Sequence, residues 1–326
     1  MRVTLEEVAA RAGVSLATVS RVIGRRGTVA ATTRTAVLEA MDALGYTRST
    51  LLPDAPRRLV AVGAPGNPEY WQTQVCTRVA TALQDRGLLI TRPPVETESA
   101  PLDLAIAAGA VALVTPTLTS LETTIPCIRV DEQSAGGGEN ASGDIIAARL
   151  DLGGGMTTAF EHLRAIGHRR IGLICNDTGE LAAQLIKRFL AEHPARSFGL
   201  PLEDWIAPVP KSFSGGSRAV LELKDATCTA VIVQSALQLH GALYGLRNRH
   251  LQVPRDMSLV GFGDSPTMKF TGPPATVLGI DVDGLSTALI DATLSTLKLT
   301  DAPLPSVPPV FRPRLLARGS TAAARQ

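Results

Sequence analysis

The chain has little that would support catalysis, metal binding or membrane insertion. Its four Cys (Cys76, Cys127, Cys175, Cys228) are far apart and form no CxxC pair. That excludes a disulfide framework or zinc ribbon and predicts reduced, buried thiols in a cytoplasmic protein. The five His show no metal-ligand spacing, so no metal site is expected. The longest apolar run, Leu104 to Val114, is too short for a bilayer; it reads as a buried helix end passing into a core strand, and no membrane partner is expected. No signal peptide is expected either, because the N-terminus passes straight into an amphipathic helical pattern. Ser and His are scattered without a nucleophile elbow. Gly153-Gly154-Gly155 lacks the Lys and spacing of a phosphate loop and reads as a helix-entry turn. The expectation is a non-enzyme without cofactor. Aromatic residues make up only 4% of the chain, whereas hydrophobic residues make up 45%, enough for sizeable cores over 326 residues.

Lys is absent from the first 58 residues, which hold nine Arg and five acidic residues. That head carries a balance of +4 and leaves −2 for the rest, within an overall +2. A basic head on a near-neutral body suits a phosphate-binding module joined to something else.

Within the head, Thr4 and Glu7 have the spacing of a capping box, and Val8, Ala9 and Ala12 share a helical face. Gly13 suits the turn that ends this helix, and Ser15 suits the N-cap of a second. Val19, Val22 and Ile23 repeat at helical spacing and predict a buried face; Leu16, Ala17, Ser20 and Arg21 point the other way. An apolar side chain, a hydroxyl and a guanidinium on one exposed face suit a DNA major groove, where Arg grips guanine acceptors and Leu touches a thymine methyl. An ordinary helical hairpin with a solvated face gives the same pattern. A third helix is expected from Ala31 to Leu44, with Val37, Ala40, Met41 and Leu44 inward and a weak N-cap at Ala30.

From Leu59 onward short β-rich runs alternate with amphipathic helical patterns. Strands are expected at 59–63, 88–90, 111–114, 125–130, 170–175, 230–233 and 258–262. Helices are expected at 71–86, 102–108, 154–165, 180–192, 217–223, 237–248 and 285–299. The stretch 134–143, rich in Gly and Ser, reads as surface loop. Two such sets imply two doubly wound lobes of parallel sheet, with a ligand cleft at the carboxyl ends of the strands.

The segment VTLEEVAARAGVSLATVSRVI, continued by Thr33-Arg34, Val37 to Met41 and Leu44-Gly45-Tyr46, resembles the lactose/galactose repressor family of bacterial transcription regulators. Looser likenesses follow at 160–171, 253–262, 273–277 and 311–321, so the resemblance runs end to end. It implies an α/β chain with a helix-turn-helix head of three helices (1–45), a hinge (46–58) and a body similar to periplasmic sugar-binding proteins (59–326). Lobe 1 would take about 59–152 and 281–310, and lobe 2 about 153–280 and 311–326. It also implies a homodimer bound to double-stranded operator DNA, acting as a repressor under a small effector held between the lobes. Base reading would fall to Leu16, Ala17 and Arg21, and phosphate contact to Thr4, Ser15, Thr18, Ser20 and Thr33.

The hinge departs from the family pattern. Ala55 stands about where a Leu would enter the minor groove, and Pro53 and Pro56 flank it. Either Leu51 or Leu52 takes over as the wedge, or the hinge helix does not form and the stretch is a plain tether with Arg57 and Arg58 near the DNA backbone; the prolines favour the second. The effector pocket departs too. Tyr70, Trp71 and Asp151 stand about at family positions, although an aromatic pair that only fills the lobe surface reads the same; Gln234-Ser235 replace the usual Asn-Asp, Gly263 replaces the usual Asp with Asp264 beside it, and Arg188 is one candidate for a displaced Arg. A pocket stripped of acceptors binds hydroxyls poorly, so the effector is expected to be a sugar, sugar phosphate or nucleobase-like molecule, with a plain free sugar disfavoured. Two alternatives remain: an effector-independent DNA-binding regulator with a degenerate pocket, and a small-molecule binding protein with a vestigial head.

Overall fold

The buried faces expected of the head form one small core. In a computed structural model, Val8, Ala9, Val19, Val22, Val37 and Ala40 pack together, with Ala12, Val14, Met41 and Leu44 at the margin. The structure describes residues 5–15, 18–19, 22, 30–44, 58–64, 66–95, 100–116, 123–132, 144–177 and 206–325. The expected site residues Thr4, Leu16, Ala17, Ser20, Arg21, Leu51, Leu52, Arg57 and Arg188 lie outside these residues. So do the hinge 46–57, the loop 134–143 and the helix expected over 180–192.

The chain divides into two units, a head taking in Met1–Ala55 with Asp85–Gly87 and a body taking in Pro56–Gln84 and Leu88–Gln326. The head contains α1 (Leu5–Ala12) and α2 (Ala31–Ala43). Gly13, at φ +66°, ends α1 in the left-handed conformation that glycine adopts without strain.

The body holds two six-stranded sheets. The first contains β1 (Leu59–Val62), β2 (Leu89–Thr91), β3 (Ala110–Thr115), β4 (Cys127–Glu132), β5 (Asp144–Leu150) and the short β11 (Val310–Phe311). Their order is β11-β5-β4-β3-β1-β2, and every neighbouring pair is parallel. Helices α3 (Tyr70–Asp85), α4 (Ala100–Ala107) and α8 (Val282–Thr296) belong to this lobe. The second contains β6 (Ile171–Asn176), β7 (Ile206–Val209), β8 (Ala230–Val233), β9 (Ser258–Phe262), β10 (Thr276–Gly279) and β12 (Arg314–Leu316). Its order is β12-β10-β9-β8-β6-β7, parallel except for the β10–β12 pair. Helices α5 (Leu152–Ala165), α6 (Phe213–Asp225) and α7 (Ala236–Asn248) pack against it. The chain passes between the lobes three times, from β5 to α5, from β10 to α8 and from β11 to β12.

Five strands, β5, β7, β10, β11 and β12, are not among the seven expected from the residue pattern. β5 reads DIIAARL, whose Ala, Arg and Leu carry little strand preference; pairing with β4 over 144–150 decides its conformation. β7 is a short edge strand interrupted by Pro208. The run 104–114 is also less uniform than expected. Helix α4 ends at Ala107 and buries only Leu102 and Ala105, leaving Leu104 70% exposed before β3 begins.

Candidate functional site

In the head, Ser15 begins a helical turn that includes Thr18 and Val19. Its hydroxyl accepts from the Thr18 N–H at 3.2 Å, its carbonyl accepts from Val19 N–H at 3.1 Å, and Thr18 Oγ1 lies 2.9 Å from Ser15 Oγ. A helix N-terminus presents unpaired N–H groups and a positive dipole end, which attract phosphate oxygens. Ala30 stands before α2, its carbonyl accepting from Arg34 N–H at 3.0 Å. Thr33 is half-buried in the first turn of that helix.

In the body, the described candidate effector residues follow strand ends, and all of them except Tyr70 have an internal task. Tyr70 is 39% exposed at the start of α3. Trp71 is buried, in a continuous core cluster that also holds Phe262 of the other lobe. A Cβ built on Gly263, the glycine standing where the family has Asp, would lie 3.7 Å from Trp71 Cδ1. Gln72 supplies half of a capping box on α3, its Oε1 accepting from Glu69 N–H at 2.8 Å. Asp151 caps α5, accepting from Gly154 N–H at 2.8 Å, and its other oxygen accepts from Arg312 Nε at 2.8 Å. Gln234 ties β8 to β6, its Oε1 accepting from Asn176 N–H at 2.9 Å. Asp264 pairs with Arg318 at 2.8 Å.

Three acceptors around the second sheet have no hydrogen-bond partner although they are sealed from solvent: Asn176 Oδ1 at the end of β6, Asp264 Oδ1 after β9, and Gln238 Oε1 in α7. A buried unpaired acceptor is costly and calls for a donor. Asn176 and Gln238 were not anticipated. Asn176 closes its strand, where ligands bind in open α/β sheets, and that position was the available signal. Gln238 gave none, because one turn into an amphipathic helix its type predicts exposure. The Cys76, Cys127 and Cys175 thiols are pushed up to about 12, chiefly by burial, which disfavours the thiolate at neutral pH, and all four Cys are buried. Among the described residues no group of His, Cys, Asp and Glu is arranged to hold a metal ion, and no helix is long and apolar enough to cross a membrane.

Residues 4–49 match the model for bacterial regulatory proteins of the lacI family, and residues 160–321 match that for a periplasmic binding protein-like domain. The HTH-type transcriptional regulator MalR of Streptomyces coelicolor is 32% identical, with 99% of this chain and 98% of that protein aligned. The chain belongs to the lacI family of bacterial regulatory proteins.

Family members are DNA-binding transcriptional regulators rather than enzymes, and this chain is a lacI-family transcriptional regulator. Solved structures of similar fold include a CelR–cellobiose complex, 25% identical with a TM-score of 0.64 over 98% of this chain and all of that one. Another is a lac repressor dimer bound to operator and an anti-inducer, 21% identical with a TM-score of 0.67 over 99% of this chain and all of that one.

Proposed function

We propose that this lacI-family regulator is a homodimeric repressor that reads its operator through the second head helix and is tuned by a hydroxyl-rich effector between its lobes. Arg21, with Leu16 and Ala17, reads bases. Thr4, Ser15, Thr18, Ser20 and Thr33 hold phosphates, supported by the helical turn that Ser15 begins. Leu51, Leu52 and Arg57 belong to a tether rather than an intercalating hinge helix, because Pro53 and Pro56 interrupt that stretch.

The observation that carries the effector reading is the pair of unsatisfied acceptors Asn176 Oδ1 and Asp264 Oδ1 beyond the ends of β6 and β9. A carbonyl and a carboxylate oxygen both seek O–H donors, and sugar hydroxyls supply them. They offset the polar positions that differ from the family pattern. The cellobiose bound to CelR is a ligand of this chemical type. A thermal-shift screen over sugars, sugar phosphates and nucleobases, repeated with DNA present, tests the reading. The expected outcome is a stabilising sugar-type ligand that also changes DNA affinity, since only differential binding to two states shifts their balance. Stabilisation without any change in DNA affinity contradicts it.

The dimer is supported by an exposed apolar patch on the second lobe. Phe213, Leu237 and Tyr244 are 41–45% exposed and Phe270 is 86% exposed. The Phe213 and Tyr244 rings lie 5.2 Å apart, and the Arg247 guanidinium sits 5.9 Å from the Tyr244 ring centre. Close approach of α6 and α7 positions these rings: a Cβ on Gly241 would fall 1.9 Å from the Phe213 carbonyl oxygen. The occupant is a second copy of the chain, as in the lac repressor dimer of the same fold. Two heads are what a two-half-site operator requires.

A further inference from the structure

The two lobes are joined across the cleft by a charged connection that involves none of the expected effector residues. Glu69 precedes α3 in the first lobe. Its carbonyl accepts from Gln72 N–H at 3.0 Å and Thr73 N–H at 3.2 Å, and Gln72 supplies the reciprocal cap, so the Glu69 carboxylate is not spent on its own helix. That carboxylate reaches the second lobe, where Oε1 lies 2.8 Å from Lys211 Nζ and Oε2 accepts from Ala236 N–H, at the start of α7, at 3.4 Å. Lys211 reaches back, donating from Nζ to the Asn67 carbonyl at 2.6 Å. Both charged side chains are 19% exposed. The carboxylate therefore faces an ammonium and a helix N-terminus, both of which favour negative charge. Two residues along, Trp71 packs beside Gly263 of the second lobe. Gly263 has φ +78°, so a side chain there is strained.

We propose that Glu69 and Lys211 form a closure latch that holds the lobes together without any ligand, so that an effector acts against a closed resting state. The inference rests on the proposed reading that a ligand between the lobes shifts the balance between two states of the body. A partly exposed pair is screened by salt, which gives the latch a signature that tight apolar packing lacks: the ligand-free body loosens as ionic strength rises.

The test uses the full chain without ligand in a W205F background, which leaves Trp71 as the sole tryptophan. Acrylamide quenching of Trp71 and the radius of gyration by X-ray scattering are followed from low to high potassium chloride. In the parent, quenching starts low and rises with salt, and the radius of gyration rises with it. E69Q and K211M each shift the open-to-closed ratio by about fivefold at low salt, the size expected for a pair of this exposure, and lose the salt response. The double variant matches either single one, because one interaction is removed in all three. K211R, which keeps the charge, retains the salt response and controls for misfolding. The proposal is overturned if E69Q and K211M keep the parent's quenching and salt response, or if their effects add in the double variant. No ligand is present, so that failure leaves the effector reading intact, and failure of the effector screen leaves the latch result intact.

Discussion

Arg312 Nε donates to Asp151 Oδ2 at 2.8 Å, joining the third crossover between the lobes to the first. The Asp151 side chain is 5% exposed and its other oxygen caps α5, while Arg312 is 66% exposed. The space is filled: a Cβ on Gly154 would lie 2.2 Å from Asp151 Oδ2.

A structural duty for Asp151 makes a definite prediction. D151A removes the cap and the pair and lowers stability by about 1–2 kcal/mol, the usual cost of a lost N-cap with a small addition for a half-exposed pair. D151N keeps a good cap and loses less. Urea unfolding of the two variants measures this. If D151A unfolds like wild type but no longer responds to a ligand found in the effector screen, Asp151 contacts the effector instead.

His168 ties the C-terminal segment to the second sheet. Its Nε2 lies 3.0 Å from the Ala322 carbonyl, which only accepts, so Nε2 carries the proton and Nδ1 faces Thr229 Oγ1 at 2.9 Å. Burial lowers its pKa below the ordinary 6.5, and burial likewise lowers His162 and His240. Below 6.5 the unfolded chain therefore binds protons that the folded chain refuses, so this stability is fully present above that pH and lost as pH falls beneath it. The melting temperature should fall between pH 7 and 5, and H168Q should show a shallower fall from a lower starting point. An H168Q slope equal to wild type assigns the acid sensitivity to other groups.

The apolar patch predicts the oligomeric state. F270D places a charge on a side chain that is 86% exposed in the single chain. It should leave the melting behaviour of the isolated fold unchanged, shift the sedimentation profile from dimer to monomer and weaken DNA binding. A dimer that persists in F270D at the same concentration places the interface elsewhere.

The sequence made local features legible and long-range ones not. The head core, from Val8 to Ala40, follows from helical spacing, and most strands of the body follow from apolar runs. β5 was illegible because its composition is helix-compatible and its conformation is fixed by β4. The position of Asp151 was readable from resemblance, whereas its pairing with Arg312 depends on two crossovers meeting in space. Glu69 and Lys211 are far apart in the chain and carry no motif, so only the fold brings them within 2.8 Å. The buried, unpaired amide oxygen of Asn176 depends on packing around the end of β6, and only its strand-end position was legible.

The central claim is that the head reads DNA sequence through Arg21. Selection of binding sites from a random duplex pool by the purified full chain, followed by affinity measurements at fixed salt on the selected and a scrambled duplex, tests it most directly. The account predicts an enriched two-half-site sequence bound far more tightly than the scrambled duplex. It also predicts that R21A loses about 1–3 kcal/mol on the selected site, with relaxed choice at one guanine. Failure to enrich any sequence, or an R21A protein with the same affinity and selectivity as wild type, would contradict it.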